Sequence, residues 1–185
     1  AVEGYITKAH NEMSDMFHMQ AIKLIFKYLP SAVNEKDEEA IEMMGLAQYI
    51  AGMGFSNVGL GIVHSMAHPL SAVYDIPHGV ACAILLTPVL KFNAPSTADK
   101  YRDIAVAMGV KNTEDMSIEQ ARQACIEAVE KLSVDVGIPQ KLTQLGVKEE
   151  DLQFLSESAF VDACTPGNPR DVSVEAIKEI YKSIM

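Results

Sequence analysis

The sequence predicts an all-α fold. Apolar residues recur with the spacing of a helix through nearly every segment, and no run of alternating β-branched residues bounded by turns appears. Capping residues, glycines and prolines mark where successive helices begin and end. The sequence therefore predicts helices joined by short connections and no sheet.

The first half of the chain contains three predicted helices. The chain opens at Ala1 within a helical pattern, without a capping residue before it. A second helix covers Met13 to Tyr28 and stops at Pro30. Asn34 is predicted to cap a long third helix that covers much of the stretch from Asp37 to Ala67.

The predicted third helix is rich in glycine, at Gly45, Gly52, Gly54, Gly59 and Gly61. Each costs up to about 1 kcal/mol relative to alanine inside a helix. One explanation is a close crossing of two helices, where a missing Cβ lets the backbones approach. The other is room for a ligand beside His64, and the sequence leaves both open.

The second half begins with a predicted loop from Pro69 to Pro77. Five helices follow, with Pro88 as a likely site of a kink in the first and a capping box of Ser117 and Gln120 at the start of the third. Their predicted ranges are 77–93, 96–109, 117–137, 148–161 and 173–184.

Composition bounds the size of the protein and its partners. With 185 residues, 49% of them hydrophobic, residues 1–185 suffice for a single domain with a full core. The net charge of −10 opposes binding to nucleic acid or to an anionic membrane surface. We therefore expect neither nucleic acid nor a membrane as partner.

The cysteines and the apolar segments favour the cytoplasm. Cys82, Cys125 and Cys164 are odd in number and lack CxxC spacing, which argues against a disulfide framework or a zinc ribbon. No apolar run is expected to span a membrane, and the first residues do not resemble a signal peptide. These features predict a soluble chain in a reducing compartment.

Three of the five histidines lie within fifteen residues, in the stretch HSMAHPLSAVYDIPHG. On a helix, His64 and His68 lie one turn apart on the same face, and Pro77 marks a turn that brings His78 back toward them. Neutral imidazole is the commonest side-chain ligand of divalent metals. The cluster predicts a metal site, although histidines in such a pattern also occur as hydrogen-bonded core residues.

Missing residues narrow the chemistry. A zinc protease of the HExxH type needs glutamate after the first histidine, but position 65 is serine. Neither GxGxxG nor GxxxxGK[ST] is present, so the chain has no phosphate-binding loop of its own. Histidines without a carboxylate also form an incomplete iron or zinc site.

Other candidate residues are less distinctive. Phe55 lies nine residues before His64, or half a turn away around a regular helix. Cys164 lies in the connection DACTPGNPR, which is either a plain loop or the wall of a pocket. His10 and His18 are expected on polar faces, and the methionines at 13, 16, 19, 43, 44 and 53 are expected in the core.

The stretch GMGFSNVGLGIVHSMAHPLSAVYDIPHGVACAILL resembles the signature of the iron-containing alcohol dehydrogenases. The specific match is G-x-x-H-x-x-x-H, followed ten residues later by the histidine of PHG. The resemblance also covers QYIAGMGFSN, KYRDIAVAMGV and CTPGNPR, and extends over essentially the whole chain. It implies the helical C-terminal domain of the iron-containing alcohol dehydrogenase and dehydroquinate synthase-like fold.

The resemblance also implies roles for individual residues. His64 and His78 match metal ligands, whereas His68 matches a histidine beside the nicotinamide and the substrate that is not a ligand. Phe55 and Cys164 match positions that line the substrate pocket. Ser71 and Cys82 stand where relatives often have glycine and asparagine, which leaves the preferred substrate open.

The start of the chain matches the end of a further family motif. The family's Asp-x3-His-Ala-x-Glu-Gly motif carries the first two metal ligands, and Ala1-Val2-Glu3-Gly4 matches its last four residues. The resemblance thus implies that residues 1–185 are one all-helical metal-binding domain, and that the N-terminal nucleotide-binding domain is absent from this chain.

The function that the resemblance implies is reduction of a small aldehyde, or oxidation of a small primary alcohol or diol, by iron-assisted hydride transfer with NAD(P). Fe²⁺ is the expected metal, with Zn²⁺ an option, and His68 is the expected proton carrier. The chain alone is expected to be inactive, and the complete enzyme to be a homodimer.

Two alternatives stay open. One is a free-standing helical metal-binding or sensing domain in which His64, His68 and His78 are all ligands. The other is a structural domain in which these histidines only pack. Substitution of His68 separates the first alternative from the dehydrogenase interpretation, since only in the sensing domain does it weaken metal binding.

Overall fold

A computed structural model describes all 185 residues as nine α-helices and no strand, which confirms the predicted all-α fold. Short π and 3-10 turns join several of the helices. The helices are α1 (Val2–Ile6), α2 (Glu12–Pro30), α3 (Glu38–Val58), α4 (Ile62–Tyr74), α5 (His78–Asn93), α6 (Lys100–Ala107), α7 (Ile118–Asp135), α8 (Leu152–Phe160) and α9 (Val174–Lys182).

Two apolar clusters form the core. The larger joins α4, α5, α8 and α9 and contains the fully buried Met66, Leu70, Leu85, Leu155 and Tyr181. The smaller joins α1, α2, α6 and α7 around residues such as Ile22 and Ile104. The Tyr181 hydroxyl donates to the Met66 carbonyl at 2.6 Å, so α9 is tied directly to α4. The two helices that carry the histidine cluster, α4 and α5, are therefore anchored in the larger cluster.

Local capping signals hold where the chain supplies both partners. Ser117 and Gln120 form the predicted capping box at the start of α7. The prediction that Asn34 caps the third helix is wrong. A π turn extends α2 through Glu35, and Asp37 caps α3 by accepting from the Ala40 amide at 2.8 Å. Asn34 instead donates to the carbonyl of Asp135 at 3.1 Å.

The long third helix is in fact two helices. Helix α3 ends at Val58, Gly59 adopts a φ of 76°, and α4 leaves at an angle of 107° to α3. The break is stable because Glu3 accepts a hydrogen bond from the amide of Val63, at the new helix start. A Cβ on Gly61 would lie 2.9 Å from the Glu3 carboxylate, so glycine is needed for this approach.

Two prolines lie inside helices, contrary to one sequence prediction. The segment from Pro69 onward was expected to form a loop, but α4 continues through Pro69 to Tyr74. Asp75 then ends α4 in the left-handed conformation, with a φ of 54°. Helix α5 likewise continues past Pro88. Pro69 is buried, so packing in the larger cluster offsets the lost backbone hydrogen bond.

Residues 78–96 meet the length and mean hydropathy of a membrane-spanning helix, contrary to the expectation that no segment would. However, Ala81, Ile84, Leu85 and Val89 of α5 are buried in the larger core cluster. This arrangement is typical of a core helix, which passes the same test of length and composition.

His18 was expected on a polar face, but its side chain is fully buried. Its ring lies between Gly4 and Gly54, where an added Cβ would come within 2.3 Å and 2.4 Å of the imidazole. Close helix packing thus explains Gly54, while Gly45 has open space around it. Met13 and Met16, expected in the core, are exposed instead.

Gly54→Ala is expected to lower the free energy of unfolding by about 1–3 kcal/mol, since the His18 ring is held by Gly4 on its other side and cannot retreat. The matched control is Gly45→Ala in the same helix, which is expected to stabilise by about 0.5–1 kcal/mol. Urea unfolding of both variants measures the contrast. Equal effects of the two substitutions would contradict the packing argument.

Acid is expected to destabilise the protein through His18. Burial lowers the pKa of His18 from 6.5 to about 4, and neither ring nitrogen has a hydrogen-bond partner. Between these values the unfolded chain binds a proton that the folded chain does not, so the free energy of unfolding falls by about 2 kcal/mol from pH 7 to pH 5. His18→Met removes this contribution. Urea unfolding at both pH values should therefore show a smaller loss in the variant, and equal losses would refute the assignment to His18.

Candidate metal centre

Glu3 holds His64 at the start of α4. The Glu3 side chain is buried, and its Oε1 accepts a hydrogen bond from the Val63 amide at 2.7 Å. Its Oε2 pairs with Nδ1 of His64. An ionised carboxylate only accepts, so Nδ1 of His64 carries the proton and Nε2 is free to bind a metal. One carboxylate thus caps a helix and sets the tautomer of the first histidine.

His78 and Cys82 lie one turn apart on α5. Pro77 precedes the helix and His78 is its first residue, as the sequence predicts. The Cys82 Sγ lies 3.5 Å from the His78 Nε2. The rings of His64 and His78 approach to 5.4 Å between centroids, so α4 and α5 present their side chains to a shared space.

His64, His78 and Cys82 form a cluster with the chemistry of a metal site. One donor atom from each lies within 4.8 Å of the other two. Imidazole nitrogen and thiolate sulfur are both ligands of zinc and related divalent ions. The cluster supplies three donors, one fewer than the four of a typical closed site, so it fits a divalent metal that keeps a position for a further ligand.

His68 lies next to this cluster but is engaged elsewhere. Its ring stacks on His78 with centroids 5.6 Å apart, and its Nδ1 lies 2.8 Å from the Asp162 Oδ2. Asp162 also accepts from the Cys164 amide at 2.8 Å. The His68 side chain is 44% exposed, so its Nε2 side can meet a bound molecule or water.

The charges of the cluster follow from these contacts. Burial disfavours the charged form of His64, but the Cys82 thiol and Glu3 outweigh it and raise the pKa of His64 to about 10. Burial and the nearby His64 and His68 lower the pKa of His78. Burial also opposes ionisation of Asp162, yet its hydrogen bonds with Cys164 and His68 lower the pKa of this carboxyl. Asp162 is therefore ionised at neutral pH, and His68 donates to it through Nδ1.

The two predicted pocket residues lie in different surroundings. Phe55 is half-buried near the end of α3, and its carbonyl accepts from the Gly59 amide at 2.8 Å. Its predicted position half a turn from His64 is void, because the two residues are not on one regular helix. Cys164 is half-buried beside Asp162, and burial together with that carboxylate raises the pKa of its thiol to about 11.

A cavity of about 500 Å³ adjoins the cluster. Glu3, His64 and Cys82 contribute to one side, and apolar residues from α2, α5 and α7 make up most of the remaining wall. Neither Phe55 nor Cys164 is among its lining residues. The cluster therefore borders an apolar space that is separate from the predicted pocket positions.

Three polar residues of the site are missing from the sequence prediction of ligands and catalytic groups. The spacing of His78 and Cys82 is a signal that was available, since a His-x3-Cys pair shares one face of a helix. Glu3 and Asp162 carry no such signal, because they lie 61 and 94 residues from their histidine partners.

Comparison with known proteins places the chain in a family. The model of the "Fe-containing alcohol dehydrogenase family, C-terminal" matches residues 1–185. Over 181 residues the chain is 54% identical to lactaldehyde reductase of Escherichia coli (strain K12), covering 98% of this chain and 47% of that protein. It is 40% identical over 186 residues to the NAD-dependent methanol dehydrogenase of Bacillus methanolicus, covering 100% of this chain and 49% of that protein.

Solved structures agree. The crystal structure of a 1,3-propanediol oxidoreductase superposes with a TM-score of 0.96 at 42% identity, over 100% of this chain and 48% of that one. The chain spans about half the length of the curated relatives it matches. Sequence and fold match over the full length of the chain, which therefore belongs to the iron-containing alcohol dehydrogenase family.

Proposed function

We propose that this chain is the metal- and substrate-binding half of an NAD(P)-dependent alcohol dehydrogenase, which interconverts a small primary alcohol or diol and its aldehyde. The observation that carries the proposal is the convergence of His64 and His78, with their ring centroids 5.4 Å apart, beside the hydrogen-bonded pair of His68 and Asp162. Metal ligands and a group that can carry a proton then border the same space.

His64 and His78 are proposed to hold the metal, with Fe²⁺ as the expected ion and Zn²⁺ as the option. A divalent ion held there would polarise the substrate carbonyl and stabilise the negative charge that develops on its oxygen as hydride arrives. Glu3 supports His64 as a ligand by keeping the proton on Nδ1. Further ligands to complete the site would come from outside residues 1–185.

His68 is proposed as the proton carrier. Asp162 accepts from its Nδ1, which leaves Nε2 to exchange a proton with the substrate oxygen or with water. His68 is also proposed to lie beside the nicotinamide, while Phe55 and Cys164 are proposed to contact the substrate. The exposure of His68 supports this role, because a group that meets cofactor and substrate must be accessible.

A nucleotide-binding domain is the proposed partner, since the chain spans about half of its relatives and lacks a phosphate-binding loop of its own. We accordingly propose that residues 1–185 alone have no dehydrogenase activity. A cytoplasmic location and a homodimeric complete enzyme stay predictions. The sensing-domain alternative needs His68 as a ligand, whereas its Nδ1 is already paired with Asp162.

A fusion of residues 1–185 behind the N-terminal half of the E. coli lactaldehyde reductase is expected to reduce small aldehydes with NADH in a metal-dependent manner. In this fusion, His68→Ala should lower kcat by about 10²–10⁴-fold, the range for loss of a general acid. Asp162→Asn should have a smaller effect in the same direction, because it only loosens the orientation of His68.

The controls for this experiment are residues 1–185 alone, which should be inactive, and His10→Ala in the fusion, since His10 is paired only with Asp15. The proposed function fails if the metal-loaded fusion is folded yet inactive with every small aldehyde tested. It fails in part if His68→Ala leaves kcat unchanged.

A further inference from the structure

We infer that Cys82 is a third metal ligand, so that His64, His78 and Cys82 together form a two-imidazole, one-thiolate site. This inference rests on the proposed function only for the two histidine ligands. Neither the resemblance in the sequence nor the family match assigns a metal-binding role to Cys82. The basis is the position of its sulfur in the structure.

The distances fit coordination. One donor atom from each of the three side chains lies within 4.8 Å of the other two, which is close enough for a single ion between them. An imidazole nitrogen and a thiolate sulfur bound to one tetrahedral zinc ion lie about 3.6 Å apart, given bond lengths of about 2.05 and 2.3 Å. The observed separation between the Cys82 Sγ and the His78 Nε2 is 3.5 Å.

The position of Cys82 on α5 keeps its sulfur at the site. His78 and Cys82 are i and i+4 on the same helix, so their side chains lie on one face one turn apart. The neighbouring Ala81 and Leu85 are buried in the larger core cluster, which fixes the rotation of the helix about its axis. Cys82 itself is half-buried and borders the cavity, so an ion can reach it.

The thiolate changes which metal the site prefers. On binding, the thiol would give up its proton to the buffer and bind as a soft anionic ligand, which favours Zn²⁺ or Co²⁺ over a hard ion such as Mn²⁺. The other cysteines lie in different settings. Cys125 is fully buried in the smaller core cluster, and the backbone of Cys164 is bound to Asp162. Cys82 is therefore the cysteine whose removal should alter the metal site.

Cobalt titration of the purified 185-residue chain tests this inference. The protein is freed of metal with EDTA, kept reduced with TCEP, and titrated with CoCl₂ while its absorption spectrum is recorded. A near-ultraviolet thiolate-to-cobalt charge-transfer band is expected in the wild type and in the control Cys164→Ser. This band should be lost in Cys82→Ser, while the visible cobalt bands of the two histidines remain. Zn²⁺ binding should weaken in Cys82→Ser, with Mn²⁺ binding nearly unchanged.

The outcomes separate this inference from the proposed function. Cobalt bound by the wild type without a charge-transfer band, or with a band that persists in Cys82→Ser, overturns the role of Cys82 and leaves the histidine site intact. It would mean that the sulfur is only hydrogen-bonded to His78. If the folded wild type binds neither Co²⁺ nor Zn²⁺, the histidine site fails together with the inference. Circular dichroism of each variant verifies that the helices are intact.

Discussion

His64→Ala is expected to abolish detectable binding of divalent metal by this chain, whereas His68→Ala leaves the affinity nearly unchanged. Both residues are histidines on the same face of α4, one turn apart. They differ in their partners, because His64 shares a cluster with His78 and Cys82 while His68 is bound to Asp162. Loss of an outer-shell partner alone costs about 10–100-fold in affinity, so loss of a direct ligand should cost at least about a hundredfold.

Isothermal titration with Zn²⁺ measures this contrast. His78→Ala is expected to behave like His64→Ala, and His10→Ala is the matched control because His10 lies outside the cluster and pairs with Asp15. Equal weakening by His68→Ala and His64→Ala would contradict the ligand assignment. That result would favour the sensing-domain alternative, in which all three histidines bind the ion.

Glu3→Gln is the second substitution for which we expect a large effect, on stability and on metal affinity together. The amide can still accept from the Val63 amide, but it would present its NH₂ group to Nδ1 of His64. Two donors would then face each other, at a cost of about 1–3 kcal/mol in the free energy of unfolding. If His64 changes tautomer to escape this cost, its Nε2 carries the proton and cannot bind metal. Metal affinity should then fall by about 10–100-fold.

Urea unfolding without metal and Zn²⁺ titration of the folded protein measure the two effects separately. Glu42→Gln is the control, since Glu42 is an exposed residue of α3 and the substitution makes the same change in charge. It should alter neither quantity by more than a few tenths of a kcal/mol. Wild-type metal affinity in Glu3→Gln would show that Glu3 serves only as a helix cap and does not set the tautomer of His64.

The dependence on Glu3 illustrates how the fold assembles the site. The carboxylate lies on the short helix α1, and its two hydrogen bonds reach the first turn of α4. Gly61 permits that approach, because a side chain there would collide with Glu3 and Asn168. The metal cluster and the break between α3 and α4 therefore depend on the same contacts.

Local patterns were sufficient to predict much of this protein. The helical period predicts the all-α fold, the Ser117 and Gln120 pair predicts where α7 begins, and Pro77 predicts that His78 opens a helix. These signals act within one or two turns of the chain, so no knowledge of distant residues is needed to interpret them. The resemblance in the sequence also identified the family, which the full-length match confirms.

Contacts between distant segments decided the rest. The sequence cannot tell whether Gly59 continues a helix or ends it, because the answer depends on an acceptor for the next helix start, which Glu3 supplies from 60 residues away. The burial of His18 likewise depends on Gly4 and Gly54 closing around it from two other helices. Cys82 shares a helix face with His78, but only the packing of α5 on α4 brings both to His64. Residue types and local spacing thus determined the helices and the histidine candidates, whereas long-range packing decided which side chains meet, since hydrogen bonds and metal ligation require atoms within a few ångströms of each other.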